Sequence, residues 1–232
     1  MESQASFQRS KYLNNIPTKK LSSKIEEIKK LDIDIKIKTN KIRAVNRFAE
    51  SNIPASYWDI WMDTHFTGDQ RLLTKYQNYI ENIEDNFNSG KSLCLCGNTG
   101  VGKSMTISNI LKLAAIKNYN CLYITLSDLV TVLTTNNDEK FLVRKEINTV
   151  DFLAIDEFDP RFILSSNASD LYGSTLELVF RSRIQNKLPT LMATNSPNPL
   201  EAFSGPLKDS LKSIFNYLEM FPVLGKDHRS IK

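Results

Sequence analysis

At 232 residues, 41% hydrophobic and 24% charged, the chain can bury one full-sized core with a small appendage and has an ordinary globular composition. No apolar run approaches the roughly 20 residues of a membrane span, and the opening MESQASFQRSKYLNN lacks the apolar stretch of a secretory leader. Three cysteines without CxxC or Cys/His spacing give no zinc signature, so the expected setting is reduced and cytoplasmic, with no membrane partner.

The net charge of +4 is unevenly spread: residues 1–50 hold 12 Lys/Arg against 6 Asp/Glu, and the remainder is slightly acidic. A basic N-terminal arm can meet nucleic acid or an acidic protein surface, or can be a solvated helix. Within it, residues 1–20 read as a flexible lead-in broken by Pro17. From Leu21 to about Glu50, Ile25, Ile28 and Leu31 suit one face of a helix, whereas LDIDIKIK alternates like a strand. Asn52-Ile53-Pro54 breaks the pattern, and aromatic-rich ASYWDIWMD leads to a helix over about 70–88, closed by Asn88-Ser89-Gly90. Trp58 and Trp61 read as packing residues, and His65 and His228 are isolated.

Strands and helices then alternate. Strands are expected at 91–97, 120–126, 150–155 and 189–194, with a fifth at FPVL. Helices are expected from Ser104 to about Lys117, from a Ser127 cap through Leu133, at 139–148, at 168–186 and near 207–219. On the first of these, Ile107, Ile110, Leu111 and Ala114 share one face. Cys94 and Cys96 read as small core residues. This rhythm implies an α/β fold with a mainly parallel five-stranded sheet covered on both faces.

Three motifs carry chemistry. Gly97-Asn98-Thr99-Gly100-Val101-Gly102-Lys103-Ser104 matches G-x-x-x-x-G-K-[ST], with an apolar strand before it and an amphipathic helix, opening on Met105, after it. Backbone N–H groups of such a turn wrap phosphates, aided by the helix dipole. Lys103 would reach the β- and γ-phosphates of ATP, and the Ser104 hydroxyl would ligate Mg²⁺. Phe152-Leu153-Ala154-Ile155 delivers Asp156 and Glu157 at a strand end. There Asp156 would hold Mg²⁺ and Glu157 would act as general base or orient the attacking water. Pro189-Thr190-Leu191-Met192-Ala193-Thr194 ends in Asn195, either a polar amide beside the γ-phosphate or a turn former before Ser196-Pro197. Phe158-Asp159-Pro160-Arg161-Phe162 joins aromatics to a cation and reads equally as a base-stacking loop or as packing.

GNTGVGKS, FLAIDE and RSRIQNKLPTLMATN together resemble the DnaC/DnaI-type helicase loaders and the related IstB-type transposition ATPases, over roughly residues 50–232. The resemblance implies a P-loop NTPase core of the AAA+ type, three layers deep, with a small helical N-terminal region. Only 37 residues follow Asn195, too few for a large C-terminal lid. It divides the chain into a partner-binding arm (1–50), a linker and helix (51–90) whose aromatics lie beside the adenine, and the ATPase core (91–232). It places Asn195 as the residue called sensor 1. It also implies an ATP-dependent homo-oligomer in which an arginine reaches the neighbour's γ-phosphate. The usual Ser-Arg pair is replaced by Leu211-Lys212-Ser213-Ile214, which leaves Arg183 or Arg181 as substitutes, with surface arginines as the rival reading. Gly225-Lys226-Asp227-His228-Arg229 resembles the family's terminal motif, making Arg229 a nucleotide sensor or part of a basic tail. The function implied is a Mg-ATP-dependent helicase loader in DNA replication that binds single-stranded DNA and the replicative helicase. The alternatives are an IstB-like transposition ATPase on double-stranded DNA and a nucleotide-gated adaptor with little hydrolysis.

Overall fold

Five short apolar segments assemble into one parallel sheet in the computed structural model, which describes residues 18–134, 138–159, 169–200 and 205–227. The strands are β1 (Ser92–Cys96), β2 (Cys121–Thr125), β3 (Phe152–Asp156), β4 (Thr190–Thr194) and β5 (Leu218–Pro222). They lie in the order β2-β3-β4-β1-β5, and every pairing is parallel. Strands covered on both faces read as continuous apolar runs, which is why four of the five stood out in the sequence.

Side-chain alternation along the strands divides the core. Leu93, Leu95, Ala154 and Leu191 face one layer, and Cys94, Leu153, Ile155 and Met192 face the other. The first layer holds α1 (Thr18–Lys30), α2 (Ile35–Glu50), α3 (Met62–His65), α4 (Gln70–Glu81), α5 (Ile83–Ser89) and α6 (Lys103–Ile116). The second holds α7 (Leu126–Thr134), α8 (Asp138–Thr149), α9 (Ser169–Gln185) and α10 (Gly205–Phe215). Cys94, Cys96 and Cys121 are buried free thiols. Trp58 and Trp61 pack: the Trp58 indole N–H donates to the Ile53 carbonyl (2.9 Å), and Trp61 meets Phe48 edge-on.

Several local expectations are corrected. The strand-like LDIDIKIK is a helix–helix junction, because Asp34 caps α2 by accepting from the backbone N–H groups of Lys36 (2.7 Å) and Ile37 (3.3 Å). The helix expected over 70–88 breaks at Asn82 into α4 and α5. Thr125, not Ser127, starts α7: its hydroxyl accepts from the Asp128 backbone N–H (3.1 Å) and donates to the Asp128 carboxylate. The last helix ends at Phe215, and β5 begins three residues before the expected FPVL. An edge strand is half exposed, so Glu219 and Met220 hide it from a search for apolar runs. Residues 1–17 of the expected lead-in lie outside the described residues, and 18–20 open α1.

The chain after β5 returns to the mouth of the sheet and is pinned there by Asp69. That carboxylate accepts from the Leu224 N–H (3.2 Å), caps α4 through the Arg71 N–H (3.0 Å) and pairs with the Arg71 guanidinium at 2.6 Å. The Arg71 hydrogen bond chiefly holds the Asp69 carboxyl at about 2, below its ordinary 3.8. A folded value below the unfolded one means stability present above pH 3.8 and lost as pH falls through 2. Asp69→Ala should therefore lower stability by about 1 kcal/mol at neutral pH. In urea titrations its difference from wild type should shrink between those two pH values.

Candidate functional site

The carboxyl ends of β1, β3 and β4 lie side by side, so the turns leaving them converge on one cavity of about 360 Å³. Thr99, Gly100, Gly102, Lys103, Ser104 and Met105 line it from the turn after β1 and the start of α6. Asp156, Glu157 and Asn195 line it from the other two strands, and Tyr57, His65, Phe66 and Thr67 close it from the N-terminal layer.

Two glycines of the turn are required by the backbone. Gly100 has φ +79°, and a Cβ there would come within 1.8 Å of an Asp227 carboxylate oxygen. Gly102 has φ +100°, and its Cβ would strike the Phe66 ring at 2.5 Å. Val101 is buried in the core and anchors the turn between them. The Lys103 amine donates to the Gly97 carbonyl (2.8 Å), the Asn98 carbonyl (2.6 Å) and the Asn195 side-chain oxygen (3.0 Å). The cation is thus held at the cavity by its own turn and by the end of β4. Asn195 itself is exposed toward the cavity.

The Ser104 hydroxyl donates to one oxygen of Asp156 at 2.9 Å, and the Glu157 N–H donates to the same oxygen at 2.8 Å. The other oxygen accepts from the Tyr123 hydroxyl. Burial, and then the neighbouring Asp156 charge, push the Tyr123 phenol far above its ordinary range, so it remains a donor. Glu157 is exposed at φ +51°, a left-handed conformation unfavourable for a residue with a side chain. The next residue explains how it is kept: the Phe158 N–H bonds the Ala193 carbonyl (2.9 Å), and its ring is buried against Phe180 and Phe215. Phe158 is therefore a core residue rather than a base-stacking platform, while 160–162 lie outside the described residues.

These groups fit a nucleoside triphosphate and its cation. A glycine turn with a buried lysine suits phosphates, and a hydroxyl beside a carboxylate supplies the hard oxygens that Mg²⁺ prefers. Of the residues proposed from the sequence, Thr99, Gly100, Gly102, Lys103, Ser104, Met105, Asp156, Glu157 and Asn195 line the cavity, and Gly97, Asn98 and Val101 belong to the same turn without lining it. Two others stand apart. Arg229 lies outside the described residues, although Asp227, two positions earlier, reaches Gly100. Arg183 is removed from the catalytic set. Its guanidinium is fully buried and donates to the carbonyls of Ile147, Val150, Asp151 and Pro189 and to the Thr190 hydroxyl. Those acceptors lie before β3 and at the start of β4, at the opposite edge of the sheet from the cavity. Arg181 is half exposed, pairs with Glu177 (2.7 Å) and donates to the Ser210 hydroxyl (2.8 Å). Tyr123 and Phe66 were missed by the sequence reading, since a tyrosine inside an apolar strand and a phenylalanine in a loop carry no motif.

Residues 93–207 match the family model described as "ATPase family associated with various cellular activities (AAA)". No curated protein matches the chain significantly in sequence. Among solved structures, DnaI superposes with a TM-score of 0.61 at 17% identity, covering 76% of this chain and 94% of that one. The DnaC helicase loader gives 0.59 at 21%, covering 73% and 99%. The replication initiator DnaA bound to AMPPCP and single-stranded DNA gives 0.59 at 16%, covering 75% and 51%. At these identities the likeness shows a common fold.

Arg183 donates to the carbonyls of Ile147, Val150 and Asp151 and shares the Pro189 carbonyl with the Leu153 N–H, so Arg183→Leu should cost about 3 kcal/mol. A shift in the urea midpoint would read this, and the nucleotide affinity of the folded protein should be unchanged.

Proposed function

We propose, from the premise that residues 93–207 form an AAA-type ATPase domain on the fold shared with DnaI and DnaC, that this chain is a Mg-ATP-dependent helicase loader of DNA replication. The observation that carries the ATPase reading is the meeting of Lys103, Ser104, Asp156, Glu157 and Asn195 at one cavity. The turn at 97–102 would hold the phosphates through its backbone N–H groups, and Lys103 would exchange its carbonyl partners for phosphate oxygens. Ser104 and Asp156 would hold Mg²⁺, which when bound neutralises charge on the phosphate oxygens. Glu157, exposed beside them, would take a proton from the attacking water, and Asn195 would orient it. Tyr57, Phe66 and Thr67 line the side left for the base.

The loading role rests on the fold likeness and on the N-terminal helices. At their junction Leu31, Ile35 and Ile37 are exposed, Ile35 at 80%, among Lys29, Lys30 and Lys36. Such an apolar tip is what a protein partner, here the replicative helicase, would cover. The basic surface around it would also suit single-stranded DNA. A second reading, a nucleotide-gated adaptor with little hydrolysis, is favoured by the burial of Arg183 and the pairing of Arg181 with Glu177, which leave neither arginine poised for a neighbouring subunit.

Glu157→Gln should lower the phosphate-release rate by about 100-fold or more while ATP binding persists. Lys103→Ala should weaken ATP binding itself by about 10-fold or more, through loss of charge-assisted hydrogen bonds. A Glu157→Gln rate equal to wild type would remove Glu157 from the catalytic role.

Light scattering after size exclusion, with the host's replicative helicase, ATP and Mg²⁺, tests the partner. Deleting residues 1–50 would strip Val45, Phe48 and Ala49 from the core, so Ile35→Glu with Ile37→Glu is the cleaner variant. A wild-type complex lost in that double variant supports loading at the tip. No complex with wild type, together with binding to double-stranded DNA, would favour the transposition ATPase.

A further inference from the structure

The Asp156 carboxylate is gripped on both oxygens, and only one grip comes from the nucleotide-binding turn. One oxygen takes the Ser104 hydroxyl (2.9 Å) and the Glu157 N–H (2.8 Å), and the other takes the Tyr123 hydroxyl. Asp156 is paired in register with Thr125, and Tyr123 lies two residues back along β2 on the α6 side of the sheet. From there its ring runs along the strand and places the phenol at the carboxylate. Phenylalanine would fill the same buried volume, so the hydroxyl is the part of this side chain that packing does not require.

Tyr123 is in turn fastened from outside the sheet. β2 is an edge strand, and its outward backbone groups at this residue are taken by the end of the N-terminal helices. The Tyr123 N–H donates to the Ser51 carbonyl (2.8 Å), and the Asn52 amide donates to the Tyr123 carbonyl (2.9 Å). Asn52 sits at φ +55°, held in the left-handed region where this bond can form.

We propose that Tyr123 is a positioning residue for the cation. It fixes the plane of the Asp156 carboxylate so that one oxygen stays turned toward Ser104, and Asn52 keeps the strand that carries it in place. This rests on the reading of Ser104 and Asp156 as the Mg²⁺ site. Without the phenol, the second oxygen loses its donor and the carboxylate is free to rotate away from the cation. A partner that fixes a metal-binding carboxylate typically contributes 10- to 100-fold in metal affinity.

The test uses the full chain and a fluorescent ATP analogue, titrated with Mg²⁺ and, separately, in EDTA. For Tyr123→Phe the Mg²⁺ concentration giving half-maximal enhancement of binding should rise by about 10-fold or more, with affinity in EDTA unchanged. Asn52→Gly, which tolerates the positive φ while removing the amide, should shift the same midpoint in the same direction by a smaller factor. Equal Mg²⁺ midpoints for Tyr123→Phe and wild type would overturn the proposal, as would an equal loss of affinity with and without Mg²⁺, which would mark the tyrosine as packing. Should Tyr123→Phe fail to fold, Asn52→Gly decides, and an unshifted midpoint there refutes the proposal. Wild-type binding that ignores Mg²⁺ would instead bring down the metal reading on which the proposal stands, an outcome visible before any variant is compared.

Discussion

A helix that opens on a glycine turn at the cavity has to be held at fixed height and angle against its sheet, and the two-sided burial of α6 meets that constraint here. One side packs on the strands, and the other is covered by α2, α4 and the segment around residues 55–62. The covering is polar at its centre. Lys112 is fully buried, donates to the carbonyls of Tyr57 (2.8 Å) and Ile60, and stands 3.8 Å from the centre of the Trp61 ring. Asn109 accepts from the Met62 N–H (3.2 Å). These bonds tie the loop that supplies Tyr57, His65 and Phe66 to the same helix that supplies Lys103 and Ser104. The two walls of the cavity are therefore fastened to each other, and Phe66 can approach Gly102 more closely than any other residue there would allow.

The other wall is built by strain and its compensation. Glu157 in the left-handed region costs on the order of 1–2 kcal/mol, and the Phe158 ring, buried among aromatics of α9 and α10, offsets it. The result is a carboxylate turned out of the strand into the cavity directly beside one turned in. Asp156 and Glu157 thus have different surroundings although they are adjacent in sequence: Asp156 is buried with three donors on it, and Glu157 is exposed. In the proposed reading, that difference would let two neighbouring carboxylates divide the work of cation holding and proton transfer.

What the sequence made legible was whatever depends on local pattern: parallel strands as apolar runs, the glycine turn between a strand and a helix, and the carboxylate pair at a strand end. What it hid depends on where a residue falls in three dimensions. Asn109 and Lys112 sit on the polar stripe of an amphipathic pattern and read as solvent-facing, yet a second layer covers them. Tyr123 is indistinguishable from a core residue until the neighbouring strand brings Asp156 to its hydroxyl. Arg183 is different, because topology alone locates it. It precedes β4, and in a parallel sheet everything that precedes a strand lies at the amino edge, about 16 Å of strand away from the turns that form the site.

The N-terminal helices gain a meaning from the same geometry. Their inner end belongs to the α/β unit: Val45, Phe48 and Ala49 are in the core, the Arg47 guanidinium donates to the Ala115 carbonyl at the end of α6 (2.8 Å), and Ser51 and Asn52 finish the edge of β2. Their outer end, at Ile35 and Ile37, is exposed. A helix of 16 residues spans about 24 Å, so α2 is a stiff connection between an exposed apolar tip and the strand that carries Tyr123. A partner that engages the tip in the proposed reading pulls on a lever whose far end is two hydrogen bonds from Asp156. In that reading, coupling along this path would need no large domain motion, because a small displacement at Asn52 would reach the one donor on Asp156 that comes from β2.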